Sequence, residues 1–248
     1  MSIIYINPYQ FAAAGPTDPD FADVSLLLHG DGTNGSTTIV DSSPSPKTVT
    51  AVGDAQISTA QSKFGGSSIA FDGTGDYLTI PPSAEFEFGT DPFTVEFWIY
   101  PTTSTTSRAV LSTADNGSFT TGGIDILGIS SKLYFYFTVA GSAGSARSIA
   151  VSLPTLNTWN HYAFVGVSPT DTRVYKNGAL EGTSGANRSI TFTGQNELVV
   201  GARHSGAGPG VGPIQNFFDG YIEDLRITKG VARYTANFTP PTAPFPDA

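Results

Sequence analysis

From Val24 to Thr228 the chain is a succession of short runs, rich in β-branched and aromatic residues, separated by clusters of Gly, Pro, Asn, Asp and Ser. Helical periodicity is almost absent. Short apolar runs between frequent turn signals are what a sandwich or barrel needs, because each strand must reverse within a few residues to cover its neighbour. The runs predict strands at Val24 to His29, Ser67 to Asp72, Tyr77 to Ile80, Phe93 to Tyr100, Ala109 to Thr113, Gly123 to Ile129 and Lys132 to Thr138. Further strands are predicted at Arg147 to Val151, Asn160 to Val167, Asp171 to Lys176, Ile190 to Thr193, Leu198 to Ala202 and Phe218 to Thr228. Alternation in Phe93-Thr-Val-Glu-Phe-Trp-Ile-Tyr100 puts Phe93, Val95, Phe97 and Ile99 on one face and Thr94, Glu96, Trp98 and Tyr100 on the other. Both faces carry aromatics, which places this strand centrally in a layered structure.

Two turns fix local topology. Asn177-Gly178 between Arg173-Val-Tyr-Lys176 and Ala179-Leu-Glu is a hairpin signal, since both residues tolerate positive φ. Phe71-Asp-Gly-Thr-Gly-Asp-Tyr77 uses glycine twice to turn a strand sharply. No internal repeat of about 20 to 50 residues is present, which argues against a propeller or solenoid. All-β sandwiches reach roughly 200 to 250 residues around one core, so 248 residues need no second domain. The 17 Phe and 10 Tyr are ample to fill the space between two sheets.

The chain has no Cys, which removes disulfides, Cys-ligated zinc, iron–sulfur clusters and a thiol nucleophile. A formal charge of −9 repels phosphate backbones and anionic lipids, so nucleic acid is disfavoured as a partner. No apolar run approaches the roughly 18 to 20 residues that span a bilayer, and no membrane insertion is expected. Residues 1–23 read as an arm and linker, with Pro16 and Pro19 excluding continuous helix or central strand. They lack the basic start of a signal peptide. Residues 24–248 form the domain, with a Pro-rich C-terminal tail.

Several blocks carry a family resemblance over about residues 24 to 240. They are Leu26-Leu-Leu-His-Gly-Asp-Gly32, Phe64-Gly-Gly-Ser-Ser-Ile-Ala-Phe-Asp-Gly-Thr-Gly-Asp-Tyr-Leu78, Phe93-Thr-Val-Glu-Phe-Trp-Ile-Tyr-Pro101, Trp159-Asn-His-Tyr-Ala-Phe-Val165 and Phe218-Asp-Gly-Tyr-Ile-Glu-Asp-Leu-Arg-Ile227. In order and spacing they resemble laminin-G-like, concanavalin-A-like domains. The resemblance implies an all-β, two-sheet antiparallel jelly-roll sandwich of the concanavalin-A-like lectin/glucanase type. Tyr5-Ile-Asn-Pro-Tyr9 and Thr228-Lys-Gly-Val-Ala-Arg-Tyr-Thr-Ala-Asn-Phe-Thr-Pro-Pro241 look like laminin-G-like domains of tailed-bacteriophage structural proteins.

Members of this sandwich class include glycoside hydrolases, so catalysis must be judged on residues. Retaining hydrolysis needs two carboxyl groups about 5 to 5.5 Å apart, and the single-strand Glu-x-Asp-x-x-Glu spacing of laminarinase-like members is missing. Glu85 and Glu87 lie in a loop after Pro81-Pro82, and Glu223 and Asp224 are adjacent and point apart unless a bulge intervenes. His29, His161 and His204 show no zinc spacing, and His161 is expected to be structural. Gly206-Ala-Gly-Pro-Gly-Val-Gly-Pro213 fits no phosphate-binding fingerprint and reads as a loop at a binding rim. No catalytic residue is expected.

The resemblance implies a structural calcium ion held by Asp31 and Asp224; separately, Asp72 and Asp76 form an acidic turn that looks like a calcium loop without its terminal Glu, and turn capping is the simpler role for these acids. Sugar binding needs exposed aromatics and short polar groups, and Asn116, Phe119, Arg203, His204, Asn216 and Phe217 are the loop candidates. Trp98 and Trp159 sit in strands, where core packing is the expectation. The reading is a non-catalytic virion surface protein, a fibre, appendage or decoration subunit. It would form a homo-oligomer, contact other virion proteins through its arm, and hold cell-surface polysaccharide. The alternatives are a secreted lectin-like module and an atypical glycoside hydrolase.

Overall fold

The computed structural model describes residues 17–113, 123–139, 146–190, 197–204 and 213–248. In chain order the strands are β1 (Val24–Leu28), β2 (Thr50–Val52), β3 (Gln56–Ser58), β4 (Ser68–Asp72), β5 (Tyr77–Ile80), β6 (Phe93–Pro101), β7 (Ala109–Ser112), β8 (Ile124–Ile129) and β9 (Lys132–Thr138). They continue as β10 (Ala146–Ser152), β11 (Asn160–Ser168), β12 (Asp171–Lys176), β13 (Ala179–Ser184), β14 (Leu198–Val200), β15 (Arg203–His204), β16 (Ile214–Gln215) and β17 (Asp219–Lys229). Helical structure among the described residues is limited to single 3-10 turns at Phe21–Asp23 and Ala84–Phe86. None is long and apolar enough to cross a membrane.

Two antiparallel sheets face each other, giving the jelly-roll sandwich that the strand pattern predicts. The eight-stranded sheet runs β13-β12-β11-β6-β17-β4-β3, with β1 also on β17, and the seven-stranded sheet runs β10-β9-β8-β7-β14-β5-β2. Strand β6 lies between β11 and β17 as expected, sending Phe93, Val95, Phe97 and Ile99 into the core. Across the core, Phe164 of β11 meets Phe93, Phe135 and Phe137 at ring separations of 5.1, 5.4 and 6.0 Å. Strands β4 and β1 share one edge of β17 end to end, and the register breaks between Glu223 and Arg226. Asp224 sits in that break at φ +48°, so the bulge that adjacent acids would need to avoid opposite faces is present.

The Asn177-Gly178 hairpin joins β12 to β13 with φ +48° and +78°. A Cβ on Gly178 would lie 1.8 Å from the carbonyl oxygen of Phe238. The glycine is therefore needed twice, for the turn and for close approach of the C-terminal tail, whose Phe238 amide donates to Gly178 O at 2.9 Å. The tail then lies along the outer side of the eight-stranded sheet, where Tyr234 and Phe238 pack on Ala163, Val165 and Tyr175.

Some boundaries differ from the sequence expectation. Strands β2 and β3 were not anticipated, being only three residues long with little buried surface. Ile190 makes an isolated bridge to Gly89 and no strand, and residues 191–193 lie outside the described residues. The arm does not extend to residue 23. Asp18 is 8% exposed and pairs with Arg226 and Arg233, and Phe21 packs beside Val24, Leu27 and Phe245. Residues 18–23 belong to the folded body because a buried carboxylate anchors them.

Candidate functional site

Among the described residues, β15 pairs antiparallel with β16, Arg203 opposite Gln215 and His204 opposite Ile214, so Arg203 and His204 lie beside the strand that leads into Asn216 and Phe217, and their side chains make separate contacts. Asn116 and Phe119 lie outside the described residues. Asn216, at φ +60°, donates its side-chain amide to Ser107 O at 2.8 Å, and Phe217 packs 6.3 Å from Tyr77 while its carbonyl accepts from Arg108. These two residues anchor a turn. Gly201, at φ +83°, reverses the chain after β14, so that His204 comes back to within 3.1 Å of Glu197. Arg203 alone reaches a different strand, placing its guanidinium 3.1 Å from Asp125 of β8.

That contact marks a polar and aromatic patch on the outer face of the seven-stranded sheet. Leu133, Phe135 and Phe137 of β9 face the core, so period-two alternation turns Tyr134 and Tyr136 outward. Their rings stack at 5.7 Å with 21° between planes, and both are half-buried. Asp125, between the core residues Ile124 and Ile126, also points outward, flanked in register by Tyr136 and Ser112. It is 1% exposed, and its Oδ1 has no hydrogen-bond partner. Burial pushes its carboxyl up to about 6, against the pull of the Arg203 guanidinium and the Ser112 hydroxyl. A buried polar atom without a partner is costly, and this one lies on the strand next to the two stacked rings. The signal for Tyr134, Tyr136 and Asp125 was in the strand alternation, but sequence reasoning looked to the loops.

The opposite face carries its charge differently. Glu96 of β6 is 0% exposed; it accepts from Arg226 Nε at 3.0 Å and from Tyr234 Oη at 2.7 Å, with His161 Nε2 3.4 Å away. Burial pushes its carboxyl up, but the Arg226 guanidinium, aided by His161, outweighs that and holds it at about 2. Arg226 continues to Asp18 at 2.9 Å and stacks 3.7 Å from the Phe245 ring, so both ends of the described chain are clamped to one strand. His161 is fully buried, as anticipated for a structural histidine.

Among the described residues, the acids weighed from the sequence as a pair are engaged structurally. Among the described residues Asp125 is the one acid on the seven strands of its sheet. Glu85 pairs with Lys47, and both oxygens of Glu223 accept from the backbone amides of Lys63 and Phe64.

Of the acids expected to hold calcium, Asp224 is engaged in hydrogen bonds and Asp31 is exposed. Asp224 accepts from His29 Nδ1 at 2.5 Å on one oxygen and from Phe245 N at 3.0 Å on the other. Asp224 is thus a hydrogen-bond hub with one partner on each oxygen. Asp76 is likewise spent on the amides of Asp54 and Asp72, and Asp72 caps Thr74. Turn capping thus accounts for Asp72 and Asp76, whereas Asp224 bonds across the fold. No group of three or more His, Asp or Glu side chains among the described residues is placed to hold a metal ion.

Two facing antiparallel sheets around an aromatic core define the chain as a jelly-roll sandwich. It belongs to the concanavalin A-like lectin/glucanases superfamily, whose laminin-G model matches residues 72–233. No curated protein sequence matches it. Among solved structures it is similar to the binding domain of Paraclostridial Mosquitocidal Protein 1, with a TM-score of 0.63, 15% identity, and coverage of 84% of this chain and 49% of that one. It is similar to domain 4 of AbnA, a GH43 extracellular arabinanase from Geobacillus stearothermophilus, in complex with arabinotriose, with a TM-score of 0.60, 19% identity, and coverage of 85% and 94%. The binding domain of botulinum neurotoxin serotype G matches with a TM-score of 0.58, 14% identity, and coverage of 86% and 48%. The chain thus spans about half the length of the two toxin binding domains.

Proposed function

We propose that this chain is a non-catalytic carbohydrate-binding module whose binding face is Tyr134, Tyr136, Asp125 and Arg203. The carrying observation is the buried Asp125 with an unpartnered oxygen beside two stacked tyrosines. A sugar ring would lay a C–H face on the tyrosines, and its hydroxyls would complete the hydrogen bonding of Asp125 and Arg203. Among the described residues that sheet carries one carboxylate, which supports binding over hydrolysis, because glycoside hydrolysis uses a pair.

The setting we propose is the surface of a tailed-bacteriophage virion, as a fibre, appendage or decoration subunit that engages host polysaccharide. Its support is the likeness of the arm and tail segments to laminin-G-like phage structural proteins. The second reading, a secreted lectin-like module, is favoured by the match to nearly the whole of one domain from an extracellular arabinanase, captured with arabinotriose. Mass photometry of the full chain and of a form starting at residue 17 separates them. This cut spares the Asp18 clamp. An oligomer that needs residues 1–16 supports the virion subunit, whereas a monomer with glycan affinity supports the secreted module. A glycan array run in calcium and in chelator tests the binding itself: we expect hits that persist in chelator, and an array without hits would overturn the reading.

A further inference from the structure

Both tryptophans of the chain, Trp98 and Trp159, line one groove of about 510 Å³ at the edge of the tail, on the side opposite the tyrosine face. Its size falls within the range of ligand pockets, roughly 300 to 1,000 Å³. The remaining lining is Lys63, Phe64, Asn177 and the tail segment from Thr239 to Pro241 with Thr242. The wall exists because Gly178 admits the tail and Asn237 holds it, its Oδ1 accepting from Leu180 N at 2.9 Å.

The chemistry of the lining is selective. In a chain of charge −9 it carries one cation and no carboxylate. The Lys63 ammonium stands 4.2 Å over the Trp98 ring and 5.6 Å from Phe64, and no carboxylate of the described residues forms an ion pair with it. Its backbone is pinned, since the amides of Lys63 and Phe64 both donate to Glu223. Trp98 is 4% exposed, with an indole N–H that is buried and lacks an acceptor. Trp159 is half-buried and braced at 5.6 Å by Tyr100. Asn177 commits its Oδ1 to His161 N, which leaves its amide N–H groups to donate. The groove therefore offers an aromatic face, an ordered cation and several donors, and its lining acceptors are hydroxyls and backbone carbonyls.

We propose that this groove is a second saccharide site, selective for an acidic sugar. The C–H face of the pyranose ring stacks on Trp159, the sugar carboxylate pairs with Lys63 Nζ, and hydroxyls accept from Asn177. The site is separate from the tyrosine face and does not depend on it.

Because the only two tryptophans lie in the groove, intrinsic tryptophan emission reads it directly. The probes are trigalacturonate, a hyaluronan tetrasaccharide and sialyllactose, with methyl-esterified trigalacturonate as the uncharged control. At least one acidic probe should change the emission saturably, and the ester should bind about tenfold more weakly than its acid, the loss expected of one charge-assisted contact. Lys63→Gln should weaken binding of the responding probe to a similar degree with unchanged thermal stability, and Trp159→Ala should weaken it while Trp98 still reports. Tyr136→Ala should leave the titration intact, which separates this site from the tyrosine face. Silence with all three acidic probes, equal response to acid and ester, or saturation by a polyproline peptide alone would overturn the proposal.

Discussion

The two outer faces of the sandwich each bury a carboxylate, and they treat it in opposite ways. On the eight-stranded sheet Glu96 is ringed by Arg226, Tyr234 and His161, sealed under the termini, and held at about 2. On the seven-stranded sheet Asp125 has the Arg203 guanidinium, one unpartnered oxygen, and a carboxyl raised to about 6 beside two half-buried tyrosines. A satisfied buried charge organises the fold, whereas an unsatisfied one is a cost that ligand binding would relieve. The comparison distinguishes structure from site where burial alone would not.

Breaking the sealed side should have the largest effect. Arg226→Ala strands Glu96 without its cation and leaves Asp18 with Arg233 alone, and removing one partner from a buried pair costs about 3–5 kcal/mol, read as a loss of chemical-denaturation stability. Gly178→Ala forces a left-handed backbone and a clash with Phe238 O; we expect a loss of about 2 kcal/mol and faster hydrogen exchange in the tail from Thr235 to Pro241.

The pH profile sharpens the contrast. Glu96 and Asp18 are depressed in the folded state, so the stability they contribute is present above their unfolded values of 4.5 and 3.8 and is lost as pH falls. Asp125 and Glu223, both raised mainly by burial, to about 6 and about 7, act in the other direction: their contribution is full below the unfolded values and is lost as pH rises through 6 and 7. The raised His29, paired with Asp224, adds to the loss on the alkaline side. Thermal melts should therefore peak at about pH 4, where the gain from Glu96 and Asp18 gives way to the loss from Asp125 and Glu223; a maximum above pH 7 would break the assignment. The smallest effect is Asp125→Asn at pH 8. It removes a charge that burial disfavours, so we expect stability within about 1 kcal/mol of the parent, and a loss comparable to that of Arg226→Ala would erase the distinction between the faces.

Much of the sandwich was legible because period two is a local signal. The alternation of Phe93 to Tyr100 correctly assigned both faces of β6, and Asn177-Gly178 correctly set the β12–β13 hairpin. The clamp was not legible, since Asp18 and Arg226 lie 208 residues apart and nothing local marks them as partners. The Asp224 bulge escaped for a related reason: it exists because β4 and β1 meet end to end on β17. The tyrosine face was readable in Leu133-Tyr-Phe-Tyr-Phe137, yet loop composition drew attention to Asn216 and Phe217, whose polar and aromatic groups serve a turn.

The most direct test is calorimetric affinity for the strongest array glycan, measured on the parent chain, Tyr136→Ala and Arg203→Ala. The account predicts at least about tenfold weaker binding in each variant, the loss of a stacking or charge-assisted contact, with the fold intact by thermal melt. Unchanged affinity in both folded variants would contradict it and remove the seven-stranded face as the binding site.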